Sequence, residues 1–296
     1  MTMRKVLFPS VLVLALVVSA CAERSLGQKP RGADPGIGSS PPPPNEQRYE
    51  ATAMVLQASD GPAMLCLGGI AESLPPQCGT MRITNWEWDQ VQGEERLSGV
   101  TWGEYHVVGT YDGESFTILQ VGPPRQFEDP LREPVEIPCP EPEGGWVATD
   151  PSRASEDDLD AAGSLATSQP DSAGWWMKVV SPPVGEDVYG PNDVVLNAAF
   201  TGDIGRHQEQ LAEVWGGPLC VVRYERTESE LLRIQDELTA TGPEEFGIEV
   251  LFSGVDVVRN RVEVGVVVLD EETRTAIDDR YGEGTVRVSV ALQPVD

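Results

Sequence analysis

The sequence predicts an α+β chain, with a small N-terminal β-barrel-like domain followed by an α+β sandwich domain. Three observations lead there. Short β-rich runs crowd residues 49–121, strands alternate with amphipathic helices over residues 173–296, and an acidic, Pro-rich connector (residues 122–172) separates them. The chain has 296 residues, enough for one large or two small domains. Its 40% hydrophobic and 23% charged content is that of a globular protein. The net charge of −27 argues against nucleic-acid binding and against electrostatic docking on anionic lipid, since both need a basic surface.

In the first domain, residues 51–56 read as a strand, and residues 61–79 hold a loop carrying Cys66 and Cys78. Apolar side chains then alternate at Met81 and Ile83, with Trp86 and Trp88 in phase with each other. Residues 105–111 and 114–119 are β-rich and flank Asp112-Gly113, a two-residue hairpin signature because Gly takes positive φ cheaply. About five short strands in about 70 residues suit a small barrel, OB-like or SH3-like. Trp86, Trp88 and Trp102 could form an aromatic binding face, although such tryptophans more often fill a small core.

In the connector, Ser155 before three acids predicts an N-cap and a short helix over residues 155–165. The spacing Glu156, Asp158, Asp160 is not a calcium loop: position six is Ala161, where Gly is required, and position twelve is Thr167, where Glu is.

In the second domain, residues 194–200 read as a strand. Ile204, His207, Leu211 and Val214 then recur at helical spacing, ended by Gly216-Gly217-Pro218. Residues 219–224 are a strand, and Thr227 with Glu230 forms a capping box for a helix carrying Leu231, Ile234 and Leu238. Residues 250–258 and 262–268 predict a hairpin about Arg259-Asn260. Asp270 caps a last helix closed by Gly282, and alternation of Val286, Val288, Val290 and Leu292 marks a final strand. Strands interleaved with helices predict the sandwich, with helices on one face.

The N-terminus reads as an export signal over residues 1–20. Arg4 and Lys5 precede an apolar run, residues 6–20, which as helix spans about 22 Å. That is short of the roughly 30 Å hydrocarbon core. Ser19 and Ala20 close it as a signal peptide requires, and Cys21 follows at once. Val18-Ser19-Ala20-Cys21 resembles the lipobox of bacterial lipoproteins, with Val18 where that family usually has Leu. The resemblance implies acylation of the Cys21 thiol, palmitate-type chains, and anchoring at the outer face of the cell membrane. The alternative is ordinary signal cleavage, with Cys21 incidental. Residues 21–48 form a Pro/Gly-rich tether with prolines at 41–44, read as a spacer.

Setting Cys21 aside leaves Cys66, Cys78, Cys139 and Cys220, an even number in an exported chain. Of the three connectivities, Cys66–Cys78 and Cys139–Cys220 is favoured: the first closes a short Gly- and Pro-containing loop, the second ties the connector to the last domain. The absence of any CxxC and the presence of only 2 His argue against a metal site.

The stretches AGWWMKVV, VVLNAAFTGDIGRHQEQL and VVRYERTESELLRIQDEL resemble the strand–helix–strand–helix unit of prosegments of alpha-lytic protease and streptogrisin-type secreted proteases. VDVVRNRVEVGVVV with YGEGTVRV resembles the hairpin–helix–strand that ends them. That family's prosegments assist and inhibit their protease. No protease motif Gly-Asp-Ser-Gly-Gly occurs here, so no catalytic residue carries over. The whole arrangement also resembles uncharacterised lipoproteins of high-GC Gram-positive bacteria.

His106 and His207 are the only near-neutral titrating side chains, and both are read as structural. No GxSxG, Walker loop or GxGxxG before a helix occurs. The expectation is a non-catalytic binding or interaction lipoprotein without cofactor, held to the membrane through Cys21, with another exported protein as a candidate partner. The alternative is an envelope hydrolase with a carboxylate-based site. A transporter's solute-binding protein is disfavoured, because the sequence displays no repeated βαβ pattern.

Overall fold

The computed structural model describes residues 47–71, 73–125, 133–181, 190 and 192–295. The signal, Cys21 and nearly all of the tether lie outside them. The described residues fall in a single compact unit.

Strand β1 (Arg48–Ala58) runs antiparallel to β5 (Val100–Tyr111) along its whole length, Arg48 opposite Thr110 and Ala58 opposite Val100. The other edge of β1 takes β2 (Met64–Cys66), which pairs with β3 (Met81–Ile83). β3 lies parallel to β6 (Ser115–Gly122), and β6 returns to β5. The pairings therefore run β1–β2–β3–β6–β5 and come back to β1. One side of this ring buries Val55, Leu65, Met81, Tyr105, Val107, Phe116 and Ile118. Period-two alternation on β1 and β5 puts every other residue on that side.

Two turns explain the hairpins. β4 (Glu95–Leu97) pairs with β5 through Ser98 (φ 52°) and Gly99 (φ 80°). Two positive φ values are what a two-residue type I′ turn needs. The β5–β6 turn sits one residue beyond the expected place. Asp112 N donates to Ser115 O at 3.3 Å, so Gly113 (φ 97°) and Glu114 are its central residues. The Asp112 carboxylate accepts from the amides of Glu114 (2.9 Å) and Ser115 (2.7 Å), which fixes Asp112 as the first turn residue.

The rest of the chain builds one unit twice. The first copy is α1 (Glu156–Thr167), β7 (Ser172–Val179), β8 (Val194–Phe200), α2 (Ile204–Val214) and β9 (Leu219–Arg223). The second is α3 (Glu228–Glu245), β10 (Val250–Asp256), β11 (Arg261–Val266), α4 (Glu271–Tyr281) and β12 (Val286–Val290). Each is helix, antiparallel hairpin, crossover helix and a third strand parallel to the second. The caps correspond: Ser155 and Thr227 accept from the amide three residues on, and Asp203 and Asp270 cap the crossover helices. Each helix pair covers one sheet face, burying Ala162, Ala166, Leu196 and Leu211 in one copy and Leu231, Ile234, Val264 and Ile277 in the other. The chain is thus α+β.

Leu292 does not extend the last strand. β12 stops at Val290, and Leu292 is fully buried in the core of the first sheet, with Val267 beside it. Burying that side chain carries the chain across, and β13 (Gln293–Val295) then pairs with β1, Arg48 opposite Val295. Pro294 sits at this sheet edge, where its missing N–H costs no ladder bond.

The described end of the connector is a strap over the helix-free faces. Arg259 Nε and Arg287 Nη1 bind the Glu133 carboxylate at 2.6 and 2.7 Å, and Arg259 also donates to the carbonyls of Glu133 and Pro134. Val135 packs with Trp176, Tyr224 and Val257. A disulfide from Cys139 to Cys220 on β9 ends the strap, and the other disulfide joins Cys66 and Cys78, so both favoured pairings are present.

Candidate functional site

Beyond Cys139 the connector arches over the return from α2 to β9. It is fixed at both ends: Cys139 is bonded to Cys220, and Asp150 N donates to Gly216 O at 2.9 Å. The arch turns through Pro142-Glu143-Gly144-Gly145, Gly145 N donating to Pro142 O at 2.9 Å, with Gly144 at φ 95°. Positive φ at the third residue is the type II requirement that glycine meets. Between arch and return lies a groove of about 430 Å³. Trp146 and Val147 rise from the arch, Gln208 and Ala212 come from α2, and Trp215, Gly217 and Pro218 form the return.

Local chemistry holds this shape. Trp215 is buried and its indole N–H donates to Pro218 O at 2.9 Å. A Cβ on Gly216 would stand 2.2 Å from Asp150 O, and one on Gly217 would stand 2.1 Å from the Trp215 ring, so both glycines are needed for the close approach. Arg153 donates to the carbonyls of Ala212 and Glu213, satisfying the open end of α2. Asp150 caps the short turn Pro151–Arg153. Hydrogen bonds from the Ser152 hydroxyl and then the Arg153 guanidinium pull its carboxyl down to about 2.

The three tryptophans that could have formed one aromatic face do not share one. Trp86 and Trp88 meet edge-on at 5.3 Å and pack with Tyr105 against the inner core of the ring. The Trp88 indole donates to Gln57 Oε1 at 2.6 Å. Trp102 lies three residues from Tyr105 on β5 and so points to the other side, where it packs with Leu56, Cys66 and Cys78. Strand parity separates them: Trp86 and Trp88 pack in one cluster and Trp102 in another, so the alternative of a single face is set aside.

Neither histidine heads a catalytic arrangement. His207 is buried, stacks on Phe200 at 3.8 Å, and its Nε2 lies 2.9 Å from Asp171 Oδ2. The His207 contact holds the Asp171 carboxyl below its usual range. Arg206 is the other side chain bonded to this ring, so no hydroxyl or thiol completes a triad among the described residues. His106 lies 3.4 Å from Thr52 Oγ1 and 3.4 Å from Glu50 Oε2. Burial and the Arg125 charge lower its pKa against the pull of Glu50. No group of three or more His, Cys, Asp or Glu among the described residues could hold a metal ion.

No family model matches this chain, and no curated protein matches it. The groove stands on its own geometry. Sequence reasoning missed Trp146, Val147 and Gln208 as groove residues. One signal was available: Gly144-Gly145-Trp146 and Trp215-Gly216-Gly217 each put a tryptophan beside a glycine pair, and these two stretches face each other.

Proposed function

We propose that this chain is a lipid-anchored extracytoplasmic lipoprotein that binds its ligand without turning it over, and that the groove under the connector arch is the binding site. The observation that carries this reading is the doubly fixed arch. A covalent tie and a main-chain bond hold a tryptophan-lined groove open, and preorganisation of that kind reduces the ordering cost of binding. Its volume lies within the roughly 300–1,000 Å³ of small-molecule sites. The lipobox-like Val18-Ser19-Ala20-Cys21 supports the anchor.

We read the ring of pairings in the first sheet as an OB-like barrel. The continuous β1–β5 ladder and the parallel β3–β6 closure support that reading. Fold likeness alone assigns no ligand. The strands a barrel of this type would use for binding, β2 and β3, carry the Cys66–Cys78 loop, packed against Trp102.

The test is intact mass of the protein from its native host, with Cys21→Ala beside it. A diacylglyceryl mass lost in the variant is the expected result. An unlipidated, secreted protein overturns the anchor. Turnover of an envelope substrate by the purified ectodomain overturns the non-catalytic assignment and favours a carboxylate-based hydrolase.

A further inference from the structure

We propose that the groove takes an uncharged saccharide, an inference that rests on reading the groove as the ligand site. The first argument is charge. The chain carries 48 acidic residues and a net charge of −27, yet the groove is lined by a single acid, Glu143, and by no base. An anion would be repelled by the field of the whole molecule. A cationic ligand would draw on the abundant carboxylates, and the groove has shed all but one. A locally near-neutral surface on so acidic a chain fits a neutral ligand.

The second argument is the pairing of groups. Half-buried Trp146 offers an indole face, and sugar rings present apolar C–H faces that lie flat on such a surface. Gln208 and Glu143 line the same groove, the first with an amide that both donates and accepts and the second with a carboxylate that accepts. Sugar hydroxyls both donate and accept, so this set satisfies them without a charged partner.

The third argument comes from the duplication. The second copy makes the same helix-to-strand return through Gly282–Thr285, with Thr285 N bonded to Gly282 O at 3.1 Å and no tryptophan in the return. The unit therefore folds without an arch. Trp215 belongs to the core of the first copy, so the floor serves folding as well, but half-buried Trp146 on the arch has no counterpart in the second copy and no place in that core, which points to use.

The experiment is titration of the full mature chain, followed by tryptophan fluorescence and calorimetry. The neutral probes are maltotriose, cellotriose and triacetylchitotriose. The cationic probes are tetramethylammonium and a triarginine peptide. Trp146→Ala, Trp146→Phe and Gln208→Ala are compared after circular dichroism confirms that each is folded. The proposal expects saturable binding of a neutral trisaccharide. Trp146→Ala should weaken it at least tenfold, about 1.4 kcal/mol, and Trp146→Phe should restore part of it. Trisaccharide binding indifferent to both Trp146 and Gln208 overturns the proposal. Binding of a cationic probe alone, lost in Trp146→Ala, overturns the ligand class and leaves the groove as a site. No response to any probe overturns both.

Discussion

The main-chain amide of Asp150 donates to the carbonyl of Gly216 at 2.9 Å, and the amide of Gly216 donates to Arg153 O at 2.7 Å. These two bonds clamp Gly216 to the connector at either end of the short turn Pro151–Arg153. They leave no room for a side chain at Gly216, whose Cβ would meet a backbone oxygen at 2.2 Å. Gly216→Ala should therefore destabilise by about 1–3 kcal/mol, the range for forcing atoms into a packed site. Gly79→Ala is the control: a Cβ there meets nothing within 4 Å, and a change within about 0.5 kcal/mol is expected. Urea denaturation of both variants decides it. Equal midpoints would mean that the connector does not pack as described.

Asp150 also sets an acid limit on this end of the connector. Its carboxyl is pulled from 3.8 to about 2 by the Ser152 hydroxyl and the Arg153 guanidinium. A depressed carboxylate contributes stability that is present above the unfolded value and lost as pH falls through the folded one. The Ser152 amide should thus stay protected at pH 4 and lose protection as pH falls toward about 2. NMR-detected exchange of Ser152 across that window, with Asp150→Asn as reference, tests this. A carboxyl titrating near 3.8 would refute it.

Tyr111 sets the opposite limit. Burial and the neighbouring Glu249 raise its phenol to about 12, and its hydroxyl donates to Glu249 Oε2 at 3.2 Å. The folded state holds this proton more tightly than the unfolded one. Its contribution is therefore complete below about 10 and lost as pH rises through about 12. Ultraviolet titration should show a late-ionising phenol that disappears in Tyr111→Phe. A wild-type curve complete by pH 11 would contradict the Tyr111–Glu249 contact.

The Cys139–Cys220 bond should matter more than its partner, because it closes a sequence separation of 81 residues against 12. Loop entropy gives about 4.5 kcal/mol for the longer loop and about 3 kcal/mol for the shorter. Cys139→Ser with Cys220→Ser should also free the arch, so proteolytic cleavage between residues 140 and 148 should accelerate. Removing Cys66 and Cys78 should leave that segment protected. Equal cleavage in both double variants would show that the arch is held by something else.

What the sequence made legible follows periodicity and caps. Val194–Phe200, Ile204–Val214 and the helix after Thr227 lie where spacing put them, because burial of one face dictates both pattern and fold. The duplication was not legible, since the copies share order and caps rather than side chains: Ala162 and Ala166 fill one core where Ile234 and Leu238 fill the other. The passage of Leu292 into the first core was hidden for a different reason. Alternation says that a residue is buried, not which core buries it. The two Gly-Gly pairs beside tryptophans hinted at the groove, but that it joins Trp146 and Gln208 across 62 residues through a disulfide and a backbone bond leaves no local pattern.

Trp102 provides the sharpest test of how the aromatic residues are used. It is only 7% exposed and packs on Leu56 and the Cys66–Cys78 bridge outside the ring, whereas Trp88 is half-buried and makes a side-chain hydrogen bond to Gln57. Truncating a buried tryptophan removes its transfer energy and leaves a cavity, so Trp102→Ala should destabilise by about 3–5 kcal/mol. Trp88→Ala should cost less, because water already reaches part of that ring and can fill the space left behind. Neither substitution should alter ligand binding at the groove once the protein is folded, since neither residue lines it. Denaturation and ligand titration on the same samples separate the two roles. If Trp102→Ala left stability within about 1 kcal/mol of wild type while abolishing ligand binding, the side chain would belong to a recognition surface. The groove would then lose its claim as the sole site.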